Sequence, residues 1–200
     1  MPGPFFHLWL AERVYPDFIK AAGLGKYNND LLPYFRAGVI APDIGFYPDG
    51  PLEFSKTVHD FGHTGQFLRV IHERSVLGTD QAFMAGWALH VYTDLAIHPL
   101  VDRAVKDCYR GQNKKESMFW HMRLEWGMDC AILETKEAEK LWRCKDLISF
   151  PSGSAGILVS AMTDVYSQKV SMGAMLQGYR SIIYWVKIIP HIFFWGGHVS

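Results

Sequence analysis

The sequence is short of cysteine and has no excess charge of either sign. Its three cysteines, Cys108, Cys130 and Cys144, are an odd number, at spacings that match neither a disulfide framework nor a zinc knuckle. Reduced thiols in a cytoplasmic protein are the expectation. Twenty Lys and Arg balance twenty Asp and Glu, for a formal net charge of zero. That balance leaves no basic footprint for sequence-independent nucleic-acid binding. Long apolar runs are missing as well. The one membrane-like stretch, SIIYWVKIIPHIFFWGG, is interrupted by Lys187 and Pro190, and neither flank is long enough to span a bilayer. It reads as a packed terminal helix with an apolar tail, an interfacial lipid-facing segment being the alternative. The opening MPGPFFHLWLAERV has no basic n-region, long apolar stretch or small-residue cleavage site, so a secretory signal is not expected.

What the sequence does have is helical periodicity. Two hundred residues, 49% of them hydrophobic, suffice for one domain over residues 1–200 with a sizeable core. Phe6, Leu10, Val14 and Phe18 repeat at helical spacing from Phe5 to about Ala22, before Gly23 and Gly25. Asp30 is placed to cap a short helix through Phe35, and the Gly- and Pro-rich AGVIAPDIGFYPDGPLEF reads as an ordered loop. Helices are predicted from Thr64 to Val76, from Thr79 or Asp80 with a kink or break at Pro99, and from Glu116 to Arg143. Two more follow the SFPSGS loop, over Ala155 to Lys169 and Ser171 to Lys187. Period-two alternation is scarce, and the predicted fold class is all-α.

The other abundance is histidine, nine in all. In GWALHVYTDLAIHPLV, His90, Asp94 and His98 stand at i, i+4 and i+8, so one helix would carry imidazole, carboxylate and imidazole in a single stripe. Those donors suit zinc. HMRLE places His121 and Glu125 one turn apart in the same way. Either pair alone is commonly a surface hydrogen bond. Yet His90 and Asp94 are set among Trp87, Leu89, Val91, Leu95 and Ile97, and burying such a pair without a partner costs several kcal/mol. Metal coordination is a sufficient reason. His7, among Phe6, Leu8 and Trp9, and Asp43, in APDIGF, are further candidates, with His59 or His63 from TVHDFGHTGQF. His72 reads as a solvated helix face.

The ordered set His7, Asp43, His59, His90, Asp94, His98, His121 and Glu125 resembles the zinc-dependent phospholipase C superfamily, which also contains single-strand-specific nucleases. The opening MPGPFFHLW and the motif LHVYTDLAIHP look most like its cytosolic bacterial branch, and the resemblance covers residues 1–130. It implies a multi-helix bundle with up to three zinc ions. By that analogy Asp43, His59, His90 and a bridging Asp94 hold one. His7, Asp94 and the N-terminal residue hold a second, with loss of Met1 exposing Pro2. His98, His121 and Glu125 hold the third.

The activity implied is hydrolysis of a phosphodiester by metal-activated water, with Asp43 orienting or deprotonating that water. A lipid or small-molecule phosphodiester is the expected substrate. Nucleic acid is disfavoured by the neutral charge, and peripheral membrane contact is an added expectation. Phe5, Phe6, Trp9, Phe46 and Tyr47 are positioned either to line a pocket or to fill the core. Two other readings stand beside this one. His59-Asp60 is the dipeptide of helical HD-type metal phosphohydrolases, but that reading leaves Asp43, His98, His121 and Glu125 without a role. The metals can also be purely structural, in a non-catalytic binding or membrane-surface module. A carboxylate-bridged di-iron bundle lacks its ExxH pairs.

Overall fold

The computed structural model describes residues 3–21, 29–109, 113–136 and 147–196. No strand occurs among them, and eight helices make up the all-α fold: α1 (Pro4–Ala21), α2 (Leu32–Ile40), α3 (Leu52–Val58), α4 (Thr64–Arg74), α5 (Gly78–Cys108), α6 (Lys114–Leu133), α7 (Ser154–Tyr166) and α8 (Met172–Gly196).

The long α5 is the spine. Its Phe83, Trp87 and Val91 face a core that also contains Phe54 of α3, Phe67 and Ile71 of α4, and Leu158 and Met162 of α7. Trp87 is 1% exposed and meets Phe54, Phe67 and Phe83 at ring-centroid distances of 6.0, 5.5 and 6.1 Å. A second cluster joins Ala11, Tyr15 and Ile19 of α1 to Phe35 and Val39 of α2 and Ala82 of α5. Arg36, 6% exposed, donates from Nε to Glu12 Oε1 at 2.6 Å and from Nη1 to the Leu147 carbonyl at 3.3 Å, tying α1, α2 and the segment before α7 together.

Two glycines set how closely α2 and α5 cross. A Cβ on Gly38 would lie 1.9 Å from the Phe83 carbonyl oxygen, and one on Gly86 would lie 2.0 Å from that of Phe35. The helices therefore touch backbone to backbone, and nothing but glycine fits at either position.

That contact overturns part of the loop expected over residues 37–54. α2 runs on to Ile40, and Ala41–Phe46 continues as a 3-10 turn, with a hydrogen-bonded turn from Tyr47 to Gly50 before α3. Gly38 is a contact point rather than a helix breaker. Pro42 lies in the first turn of the 3-10 segment, where its missing N–H removes no bond. Pro99 does not break α5 either. Pro99 and Leu95 are both exposed, so water reaches the carbonyl that the proline leaves without a donor. Likewise α8 passes through Pro190 to Gly196; no described helix is long and apolar enough to cross a membrane. α6 is shorter than expected. Asn113 Oδ1 caps its start at the Lys115 N–H, 3.0 Å away, and the Thr135 hydroxyl takes the Ile132 carbonyl at 2.7 Å just past its end. Residues 137–143 of the helix expected to reach Arg143, with Cys144, lie outside the described residues. Cys108 and Cys130 are free thiols.

Candidate metal centre

Five segments converge on Asp94 of α5. α1 brings His7, the 3-10 turn after α2 brings Asp43, the end of α3 brings His59, α5 itself adds His90 and His98, and α6 adds His121 and Glu125. All eight residues singled out in the sequence come together, in three groups whose ligand atoms lie within 4.8 Å of one another: His7, Asp43 and His90; His59, His90 and Asp94; His98, His121 and Glu125.

Local structure aims the rings. His90 Nδ1 donates to the Val39 carbonyl at 2.8 Å, a contact made possible by the glycine crossing of α2 and α5. His59 Nδ1 donates to the Ser55 carbonyl at 2.6 Å. The Ser55 hydroxyl in turn donates to the Pro42 carbonyl at 2.6 Å and accepts from Gly45 N–H at 2.7 Å, pinning α3 to the turn that carries Asp43. His121 Nδ1 donates to Asp102 Oδ1 at 3.2 Å. In each case the proton on Nδ1 is committed outward and the Nε2 lone pair faces the centre, the arrangement that metal-binding histidines adopt.

The facing atoms have little else to satisfy them. His59 Nε2 and His90 Nε2 approach to 3.2 Å, two lone pairs pointed at each other when both imidazoles are neutral. Asp94 is 0% exposed, and neither of its oxygens has a hydrogen-bond partner among the described residues, nor do either ring nitrogen of His7, Nε2 of His98 or Oδ1 of Asp43. Nitrogens surround the Asp94 carboxylate all the same: His7 Nε2 is 3.3 Å from Oδ1, and His90, His59 and His98 Nε2 are 3.2, 3.6 and 3.8 Å from Oδ2. His59 Nε2 is 3.3 Å from Asp43 Oδ1, and His121 Nε2 is 2.8 Å from Glu125 Oε1. The rings of His7 and His90 stack at 4.3 Å and 19°. Buried imidazole nitrogens and carboxylate oxygens gathered this closely are a donor set that could hold divalent cations.

Charge points the same way. Burial opposes protonation of His90, but Asp94 and Asp43 overcome it and hold its pKa up at about 9. Burial also opposes ionisation of Asp94, yet His90 and His7 keep it well below the usual carboxylate range. Asp43 is held low against its burial by His90 and His59. Burial, with His90 beside it, lowers His7, and burial lowers His98 and His121. The centre thus attracts positive charge while several of its imidazoles stay neutral and free to donate lone pairs.

Other sequence candidates fall outside. His63 is exposed, with its ring 5.8 Å from that of Tyr166, and His72 is exposed on α4. Asp60 of the HD dipeptide is exposed, its Oδ1 accepting the Gly62 N–H at 3.4 Å, which leaves the HD-type reading without its second ligand. Met1 and Pro2, expected to contribute an amine, lie outside the described residues. Of the aromatics, Phe5 is core, whereas Phe46 is 44% exposed and stands 5.5 Å from the His59 ring. Two carboxylates were missed, Asp102 beside His121 and Asp129 beside the start of α1. Both were within reach, since Asp102 extends the i+4 stripe of His90, Asp94 and His98, and Asp129 that of His121 and Glu125.

No curated protein and no solved structure matches this chain. A family model described as zinc dependent phospholipase C matches residues 6–169, which reaches beyond the motifs recognised in the first 130 residues and takes in α7. By that match the chain belongs to the zinc-dependent phospholipase C family.

Proposed function

We propose that this chain is a phosphodiester hydrolase that holds up to three zinc ions. Asp43, His59, His90 and Asp94 would hold the first, His7 and Asp94 the second, and His98, His121 and Glu125 the third. The observation that carries this reading is Asp94: a carboxylate 0% exposed, with imidazole nitrogens 3.3 Å from Oδ1 and 3.2 Å from Oδ2. Left alone, such a group costs several kcal/mol. Cations held by the two groups that share Asp94 would offset that cost.

When bound, zinc supplies Lewis acidity toward phosphate oxygens and makes water acidic near neutral pH. The chain's own residues do the rest. Asp43, buried beside His59, accepts a hydrogen bond from the attacking water at a carboxylate oxygen and takes up its proton. Asp94 sets the spacing of the first two ligand groups. The side chains of His98 and His121, 25% and 18% exposed, face outward more than His7 or His90. They mark the side on which substrate enters and the alcohol leaves. Phe46, exposed and 5.5 Å from the His59 ring, would give the first group an apolar neighbour suited to a lipid or other small phosphodiester.

The test is elemental analysis of protein purified without chelator, with hydrolysis assays on a phospholipid, a small chromogenic phosphodiester and single-stranded DNA. Asp94→Asn, nearly the same shape with half the acceptor capacity, is expected to lose bound zinc and activity together. Full retention of both rules out the bridging role. Zinc with no turnover on any of the three substrates would favour a purely structural centre.

A further inference from the structure

His7 differs from the other inward-facing histidines. His59, His90 and His121 are each held by a hydrogen bond at Nδ1, whereas neither nitrogen of His7 has a hydrogen-bond partner among the described residues. Its orientation has to come from the backbone that carries it, from stacking on His90 and from the Asp94 oxygen 3.3 Å from its Nε2. That backbone is the first turn of α1, which brings little of its own to hold itself. Gly3 precedes the helix and has no side chain to cap it, and the first turn has no acidic residue. The N–H groups there still need acceptors.

Asp129 of α6 provides them from more than a hundred residues away. Its Oδ1 accepts from Phe6 N–H at 2.9 Å and its Oδ2 from Phe5 N–H at 3.4 Å. The carboxylate is 8% exposed, and burial pushes its pKa up to about 7 against the pull of those two N–H groups. The chain in front of the helix is pressed against it as well: a Cβ on Gly3 would lie 1.9 Å from Asp129 Oδ2 and 2.4 Å from its Cγ. A short, buried, doubly bonded side chain has no room to move aside.

We infer that Asp129 and Gly3 form a clasp that positions His7 for zinc, with Asp129 capping α1 from α6 and Gly3 allowing the carboxylate to approach. Asp129 is a positioning residue, acting through the two amides that immediately precede His7. Because it shares one stripe of α6 with His121 and Glu125, the same helix that supplies ligands to one group of the centre sets the backbone of another. The inference rests on the reading of His7 as a zinc ligand, and the test keeps the two apart.

Zinc per chain and zinc affinity, by competition against a chromophoric chelator, are measured for wild type, His7→Ala, Asp129→Ala, Gly3→Ala and the double variants, with melting of each metal-free protein alongside. His7→Ala is expected to lose one zinc ion. Asp129→Ala and Gly3→Ala are each expected to weaken that same ion about 10–100-fold and leave the others at wild-type affinity. Asp129→Ala combined with His7→Ala should lose no more zinc than His7→Ala alone. Gly3→Ala should have no effect once Asp129 is Ala, because the carboxylate that its Cβ strikes is gone. Asp129→Asn, which keeps an acceptor for Phe6 N–H, should lose less than Asp129→Ala. Wild-type affinity in both clasp variants, with an ion lost in His7→Ala, overturns the clasp and leaves the ligand reading intact. Weakening of every ion with a lower metal-free melting temperature in Asp129→Ala, and a silent Gly3→Ala, also overturns it by showing a structural role only. Should Asp129→Ala not fold, Gly3→Ala against His7→Ala decides alone. Wild-type zinc in His7→Ala removes the ligand reading and the inference with it.

Discussion

At the scale of single residues, the centre depends on groups that never reach its middle. Asp102 is an example. Its side chain is 58% exposed and its Oδ1 holds His121 Nδ1 at 3.2 Å, which fixes the ring and increases the electron density at Nε2. Asp102→Ala is expected to weaken zinc binding at the proposed group of His98, His121 and Glu125 by about 10–100-fold, with the melting temperature of the metal-free protein unchanged because so exposed a carboxylate contributes little to folding. Chelator competition and a thermal melt check the two halves separately. Unchanged affinity would mean that packing against His98, whose ring lies 5.5 Å away and perpendicular, already orients His121. Legibility at this scale followed helix geometry. His90 with Asp94, and His121 with Glu125, were readable because i, i+4 on a helix is a fixed spatial relation. The choice of His59 over His63 was not, because both lie in a short irregular stretch, and the direction of each ring is set by what α3 and α7 pack against.

At the scale of elements, the crossing of α2 and α5 decides whether there is a centre at all. Gly38 and Gly86 let the helices meet at their backbones, and that contact brings the Val39 carbonyl to His90 and seats the turn bearing Asp43 beside it. Gly86→Ala would place a methyl group 2.0 Å from the Phe35 oxygen. The helices must then separate, at a cost of about 1–3 kcal/mol or more for an overpacked core. Urea unfolding of the metal-free protein should show this loss, and zinc binding should fall further as His90 loses its acceptor. A loss of zinc affinity without a loss of stability would indicate that α5 rotates rather than moves away. Gly38 and Pro42 explain why the sequence read residues 37–54 as loop. Gly and Pro ordinarily punctuate structure, but here Gly38 serves close approach and Pro42 opens a 3-10 turn, needs that arise only from a neighbouring helix.

At the scale of the whole molecule, ligands from α1, the turn after α2, the end of α3, α5 and α6 meet in one place. Bound cations would therefore act as cross-links between parts of the chain far apart in sequence. A ligand at a hundred times its Kd stabilises the folded state by about 2.7 kcal/mol, which for a chain of this size corresponds to roughly 5–10 °C in melting temperature. Treatment with a strong chelator should lower the melting temperature by at least that much, and added zinc should restore it. No change on chelation would mean that cations do not join these elements. Without them, repulsion among facing imidazole nitrogens and the buried Asp94 carboxylate remain to be offset by protons. The pKa of about 9 at His90 reflects this demand.

The division between sequence and tertiary structure follows from the range of the interactions involved. Helix class, most helix starts, and the two stripes of histidine and carboxylate were determined by residues three and four apart, a relation that backbone hydrogen bonds impose wherever a helix forms. The same regularity extends to Asp102 and Asp129, whose positions on those stripes were visible although their roles were not. Tertiary structure alone decided that His7 would stack on His90, that Asp43 would leave a 3-10 turn beside His59, and that Asp129 would cap a helix some 124 residues away. Those contacts depend on how closely helices pack, and packing distance is set by side-chain volume on both partners at once, a quantity that no local pattern contains.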